Sequence, residues 1–141
     1  MEMSPVMAVH LTAALSALLI GPIALWARRG QAAEQLPRPR LHRAAGYAWV
    51  TLMLMTALSA LFIRDVRLPN VGGYTPIHLL IPVILVTLYR AFRDLAAGNT
   101  QGHRQRMQWL YFSACVVSGA FTLLPQRYLG QLLWGQWLGW L

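Results

Sequence analysis

The sequence predicts an all-α integral membrane protein: a bundle of four transmembrane helices running up, down, up and down, with a Trp-rich interfacial tail at the C-terminus. Three observations lead there. Of 141 residues, 57% are hydrophobic and 11% charged, where a soluble domain carries about a quarter charged. The apolar residues fall into four long runs separated by turn formers. The basic residues are all arginine, and they gather between the runs, where they set membrane topology. A soluble chain this small has too little interior for so much apolar surface, so the expected solvent is a bilayer, and the length fits one domain, 1–141.

A formal charge of +8 invites a nucleic-acid partner. The placement of the arginines between apolar runs argues against one. The single cysteine, Cys115, lies inside an apolar run and has no partner for an intrachain disulfide, so it is read as a small packing residue.

The first span covers about 5–26. At ~1.5 Å per residue it is long enough for a hydrocarbon core of about 30 Å. Its flanks do not suit a signal peptide: Glu2 precedes it, no basic stretch leads it, and Arg28-Arg29 follow. A retained span with its N-terminus outside is expected. Gly21-Pro22 is read as a bend.

The first loop holds Arg28, Arg29, Arg38, Arg40 and Arg43 against Glu34, and Pro37 and Pro39 keep it from forming a helix. The second span covers about 42–63. The second loop carries Arg64 and Arg67 against Asp65, with Pro69, Asn70, Gly72 and Gly73 as turn formers.

Thr75-Pro76 marks a helix start, with Thr as N-cap and Pro at the first helical position. The third span covers about 76–92. Pro82 inside it is expected to free the carbonyl of His78 and kink the helix. Arg90, Arg93, Arg104 and Arg106 mark a third loop, with Asp94 solvated in it and Gly98-Asn99 as a stop. The fourth span covers about 103–124 and ends at Pro125. The tail, 125–141, places Trp134, Trp137 and Trp140 at headgroup level. The first and third loops are the basic ones, so they face the cytoplasm and both termini lie outside the plasma membrane.

Each of the four histidines, His10, His42, His78 and His103, opens its own span. The topology sorts them into an outer pair, His10 and His78, and a cytoplasmic pair, His42 and His103. In an up-down-up-down bundle each pair faces across the axis. The two halves of the chain look alike, and parallel repeats of this kind build sites at their interface. Ala13, Ala14, Ala17 and Gly21 follow His10 on its helix face, and Ala45, Gly46 and Trp49 follow His42. Small residues there leave room for a flat ligand, or for close helix packing.

Arg43 and Arg104 stand beside the inner pair, and a guanidinium is well shaped to hold a carboxylate. These features point to two bis-histidine haem b groups, one per leaflet, with haem propionates on Arg43 and Arg104. The absence of Cys-x-x-Cys-His excludes covalent haem. The expected function is a dihaem cytochrome moving electrons across the membrane, with a quinol or another small reductant as donor.

The alternatives stay open. In a membrane subunit or scaffold the histidines only face headgroups and loop carbonyls, and the small-residue faces pack on a partner protein or a second copy. A small transporter or metal-handling protein is the third reading. Two histidines per leaflet leave zinc under-liganded, although Met107, one turn after His103, offers copper a soft ligand. No carboxylate lies within a span to couple protons. Tyr47, Trp49 and Tyr111 are read as interfacial anchors, with stacking on a ligand as the alternative.

These motifs resemble the bacterial predicted membrane proteins of domain of unknown function 2306. The resemblance rests on His10 with Gly21-Pro22, Leu41-His42-Arg43 with Gly46, and the segment Ala57 to Ile63. It rests further on Pro76-Ile77-His78-Leu79-Leu80, His103-Arg104 with Met107, and Phe121-Thr122-Leu123-Leu124-Pro125 with Arg127. It implies a small four-span integral membrane protein and no particular activity. It extends to about Arg127, with the Trp-rich tail outside it. The layout is also similar, by analogy of arrangement only, to b561-type cytochromes, which hold two haems by histidine pairs on a four-helix core.

Overall fold

A computed structural model describes residues 3–27, 40–64, 66 and 69–140. The expectations for Glu2, Arg28, Arg29, Glu34, Pro37, Arg38, Pro39, Asp65 and Arg67 fall outside the described residues. The described chain is α-helical, and its one β-type pairing is an isolated bridge between Val71 and Tyr74.

Helix α1 is Pro5–Trp26. Ser4 caps it by accepting from the amide of Met7, 3.2 Å away, and Pro5 takes the first position, where a missing N–H leaves nothing unpaired. Among the described residues, Pro5–Leu25 is the one helix long and apolar enough by itself to cross a membrane, with a mean hydropathy of 1.9.

Helix α2 is Arg40–Ala60, three residues short of the expected end. Leu61, Phe62 and Ile63 donate to carbonyls only three residues back, so the last turn tightens and the helix stops.

The third segment differs more from expectation. Pro76–Leu79 forms a 3-10 turn, and helix α3 proper is Leu80–Ala96. Pro82 therefore sits in the first turn of α3, where its amide has no intrahelical acceptor to lose. The carbonyl of His78 is taken by the amide of Leu80. The expected kink at Pro82 has no cause here.

Helix α3 also runs past Phe92, through Arg93 and Asp94, and ends before Gly98, whose φ of 77° suits a helix terminus. Asp94, expected in a solvated loop, lies on α3 and accepts from Arg106 Nε at 2.6 Å.

Helix α4 starts at Thr100, with Asn99 as its N-cap accepting from the amide of Gly102. His103 is thus its fourth residue. The helix is α-type over Thr100–Leu110, π-type over Tyr111–Val117, and α-type again over Ser118–Thr122.

Consecutive helices pack together, α1 on α2, α2 on α3 and α3 on α4, and the π-type stretch of α4 packs against α1. The interior is built from one stripe of each helix. Helix α1 contributes Ala13 and Ala17, and α2 contributes Ala45, Trp49, Met53 and Ala57. Helix α3 contributes Ile81, Ile84, Leu88 and Ala91, and α4 contributes Leu110, Tyr111, Ala114 and Cys115. Buried Cys115 lies 3.7 Å from the sulfur of Met53.

Many of these buried side chains are small. Large ones point outward: Leu19 is 73% exposed, Leu79 70% and Val117 62%. The interior also holds large groups, Trp49, Met53, Leu88 and Leu110 among them, so the outward apolar surface is excess over a filled core. Large apolar groups outside with small residues at helix contacts suit a lipid solvent.

The tail begins with a short turn, Tyr128–Gly130, and continues as a π-type segment, Gln131–Trp137. It docks on the end of α4. Trp134 Nε1 donates to the carbonyl of Leu123 at 2.7 Å, and Gly130 lies so close to the Leu124 carbonyl that a Cβ there would overlap it. Trp137 and Trp140 remain exposed.

Candidate functional site

The two hairpins, α1–α2 and α3–α4, use histidine in the same way. His42, in the first turn of α2, holds Nδ1 2.8 Å from the carbonyl of Ala24 near the end of α1. His103, in the first turn of α4, holds Nδ1 2.8 Å from the carbonyl of Ala91 near the end of α3. A carbonyl only accepts, so each Nδ1 carries the proton and donates. In a neutral ring that leaves the lone pair on Nε2. Metal-bound histidines are commonly held this way, the far nitrogen donating to a carbonyl and fixing tautomer and ring plane. Phe92 adds an edge-on contact to the His103 ring, with centroids 6.1 Å apart.

Both histidines line one cavity of about 590 Å³ between the hairpins, within the ~300–1,000 Å³ range of ligand pockets. Arg43 and Arg104 line it too, and both are solvent-exposed. Gly46, one turn on from His42, keeps that wall open, since a Cβ there would meet nothing within 4 Å. Trp49, Met107 and Tyr111 complete the deeper lining. The sequence-predicted inner set, His42, Arg43, His103 and Arg104, is therefore brought together. Among the described residues no cluster of three or more His, Cys, Asp or Glu forms a metal cage.

The outer pair is built differently. His10 Nδ1 lies 3.0 Å from the carbonyl of Thr56 and 3.0 Å from Ser59 Oγ, tying α1 to the end of α2. Ala13 and Ala17, which follow it on α1, are buried at helix contacts. They serve packing, and Ala13 also edges a shallow apolar pocket of about 320 Å³ that does not include His10.

His78 spends both nitrogens. Its Nδ1 accepts from the amide of Thr75 at 3.1 Å, and its Nε2 donates to the carbonyl of Ile63 at 2.9 Å. Thr75 is itself buried, and Tyr74 packs edge-on against the His78 ring. An iron ligand needs a nitrogen lone pair, and in this arrangement His78 has none to give. The outer pair does not fit haem as it stands.

Two expectations for aromatic residues are corrected. Trp49 and Tyr111 are not interfacial anchors: they are 3% and 8% exposed, with ring centroids 6.5 Å apart. Tyr111 also explains Gly21-Pro22. Proline has no N–H, so the carbonyl four residues earlier, that of Leu18, loses its intrahelical donor. The Tyr111 hydroxyl donates to it at 2.9 Å. A Cβ on Gly21 would overlap the Tyr111 ring and lie 3.0 Å from Trp49 Nε1. Glycine makes the socket and proline frees its acceptor. Tyr47, by contrast, is exposed at the cavity wall.

No curated protein and no solved structure matches the chain. A family of predicted membrane proteins, DUF2306, matches residues 7–140. The match continues through the Trp-rich tail, which the sequence resemblance had left outside, and agrees with the docking of that tail on α4. The chain, all-α over its described residues, belongs to the DUF2306 family of predicted membrane proteins.

Proposed function

We propose that the chain is a four-span membrane cytochrome that binds one b-type haem in the cavity between its hairpins. His42 and His103 would hold its iron, and Arg43 and Arg104 its propionates. The observation that carries this reading is the shared cavity: two histidines from different hairpins line it, each with Nδ1 held by a backbone carbonyl 2.8 Å away. Two exposed arginines on the same lining suit an anionic edge. Haem iron held there supplies one-electron chemistry. The protein holds the imidazoles in one tautomer, presents cations to the carboxylates and lines the deeper wall with Trp49, Met107 and Tyr111.

In this reading α1, α2, α3 and α4 cross the bilayer of a bacterial plasma membrane up, down, up and down. The termini lie outside, and the cavity opens towards the cytoplasmic leaflet. The order of helix packing supports it, since α1 meets α2 and α4, and α3 meets α2 and α4. The arginine-rich side supports the orientation. His10 and His78 are structural, so a single haem replaces the two expected from sequence. A haem there would take up one electron at a time at the cytoplasmic leaflet, with a quinol or a small soluble reductant as the donor class.

A second reading, a scaffold without cofactor, is favoured by one observation: every histidine ring meets a backbone carbonyl of a neighbouring element. Such bonds staple helices whether or not a ligand is present. The two readings separate by substitution. His42→Ala and His103→Ala abolish a low-spin haem spectrum in the first, and a spectrum unchanged by both would falsify it.

A further inference from the structure

We infer that Tyr111 is the positioning residue for His42, setting the ligand's imidazole through the end of α1; the inference rests on the reading of His42 as a ligand. Pro22 lies inside the continuous helix α1 and removes the amide that would bond the Leu18 carbonyl, a weak point in the ladder. The segment beyond it carries Ala24, whose carbonyl holds His42 Nδ1 at 2.8 Å. Ala24 lies six residues past Leu18, about 9 Å along the axis at ~1.5 Å per residue. The hydroxyl of Tyr111 covers the weak point, donating to the Leu18 carbonyl at 2.9 Å from the π-type stretch of α4. Its ring fills the space that Gly21 leaves.

This latch joins the two walls of the cavity. Tyr111 comes from the helix that carries His103, and the carbonyl it satisfies lies on the helix that orients His42. Single-turn π stretches of this kind are often found at functional sites. Tyr111 also lines the cavity, and Trp49, two turns beyond His42 on α2, packs beside it. Losing the hydroxyl would let α1 flex at Pro22, displace the Ala24 carbonyl and free the His42 ring to change tautomer and plane.

The test compares the full-length protein in detergent with Tyr111→Phe and with Tyr111→Phe/Pro22→Ala. Phenylalanine keeps the ring in its socket and removes only the hydroxyl. Alanine at position 22 restores an amide donor to the Leu18 carbonyl and makes that hydroxyl unnecessary. Two readouts are taken: the affinity for added haem b, and the His42 tautomer from imidazole 15N shifts without haem.

Tyr111→Phe is expected to weaken haem binding about tenfold, the low end for residues behind a metal ligand, and to mix the His42 tautomers. The double variant is expected to recover both. Unchanged affinity and tautomer in Tyr111→Phe overturn the inference, as does a loss that Pro22→Ala fails to restore. If Tyr111→Phe does not fold, the double variant decides alone: a folded protein with the wild-type tautomer supports the latch, and any other result overturns it. If the wild type takes up no haem, the haem reading fails by itself, and the tautomer still decides the role of Tyr111.

Discussion

His42 and His103 line one cavity from two different hairpins, each with its Nδ1 2.8 Å from a carbonyl of the preceding helix. The arrangement fixes both rings before any ligand arrives, which lowers the ordering cost of binding. The consequences of that preorganisation can be measured one residue at a time.

The histidines should divide into two classes. On the haem reading, His42→Ala or His103→Ala should lose low-spin haem while the helices persist. His78→Ala leaves the amide of Thr75 and the carbonyl of Ile63 without their partners. An unsatisfied buried group costs about 1–3 kcal/mol, so this variant should be less stable and keep its spectrum. Denaturation in mixed micelles and an absorption scan of the same samples check both halves. A spectrum lost in His78→Ala would place that residue at the iron.

Arg43→Ala and Arg104→Ala should lower haem affinity without changing the low-spin band shape, since neither touches the iron. Both arginines are exposed, so each variant removes an interaction worth up to about 1 kcal/mol. Haem titration should therefore show binding weakened by up to about fivefold, at about 1.4 kcal/mol per factor of ten. A broadened or high-spin spectrum at saturation would show that these residues do more than hold an anionic edge.

Gly21→Ala should damage the interior. The added Cβ would overlap the Tyr111 ring and crowd Trp49 Nε1. Overpacking of this kind costs about 1–3 kcal/mol. Trp fluorescence during unfolding reports it. A variant as stable as the wild type would mean that the ring does not occupy the socket.

Asp94→Asn should matter little. The pair with Arg106 joins α3 to α4, but the two side chains are 22% and 41% exposed. Pairs this accessible contribute less than about 1 kcal/mol. Thermal unfolding at low and high salt checks it, the difference between wild type and variant shrinking as salt rises.

Much of the inner site was legible in the sequence. His-Arg stands at the start of two helices, and alternating topology predicts that those two starts share one end of the molecule. Composition and arginine placement carried the membrane reading. The double commitment of His78 was partly legible, because Thr75 and His78 stand three apart, the spacing at which an N-cap and a side chain one turn later exchange bonds. Its second bond, to Ile63, depends on how the loop returns and has no sequence signal.

The Tyr111 socket was not legible as a contact. Gly21-Pro22 shows that space and a free carbonyl exist, but the donor stands 93 residues from Leu18, on a helix whose π-type winding shifts its register. A tyrosine in mid-span was the only hint, since a buried phenol needs a partner. Helix ends moved for local reasons: Asn99 caps α4 earlier than His103, and 3-10 bonds close α2 before Ile63.

The central claim is that this cavity holds haem, and an absorption spectrum of the detergent-purified protein, air-oxidised and then reduced with dithionite, tests it most directly. The account predicts a sharp Soret band that shifts on reduction, resolved α and β bands, and one haem per chain. A featureless spectrum from well-folded protein, produced with ample haem, would contradict it and leave the histidines as helix staples.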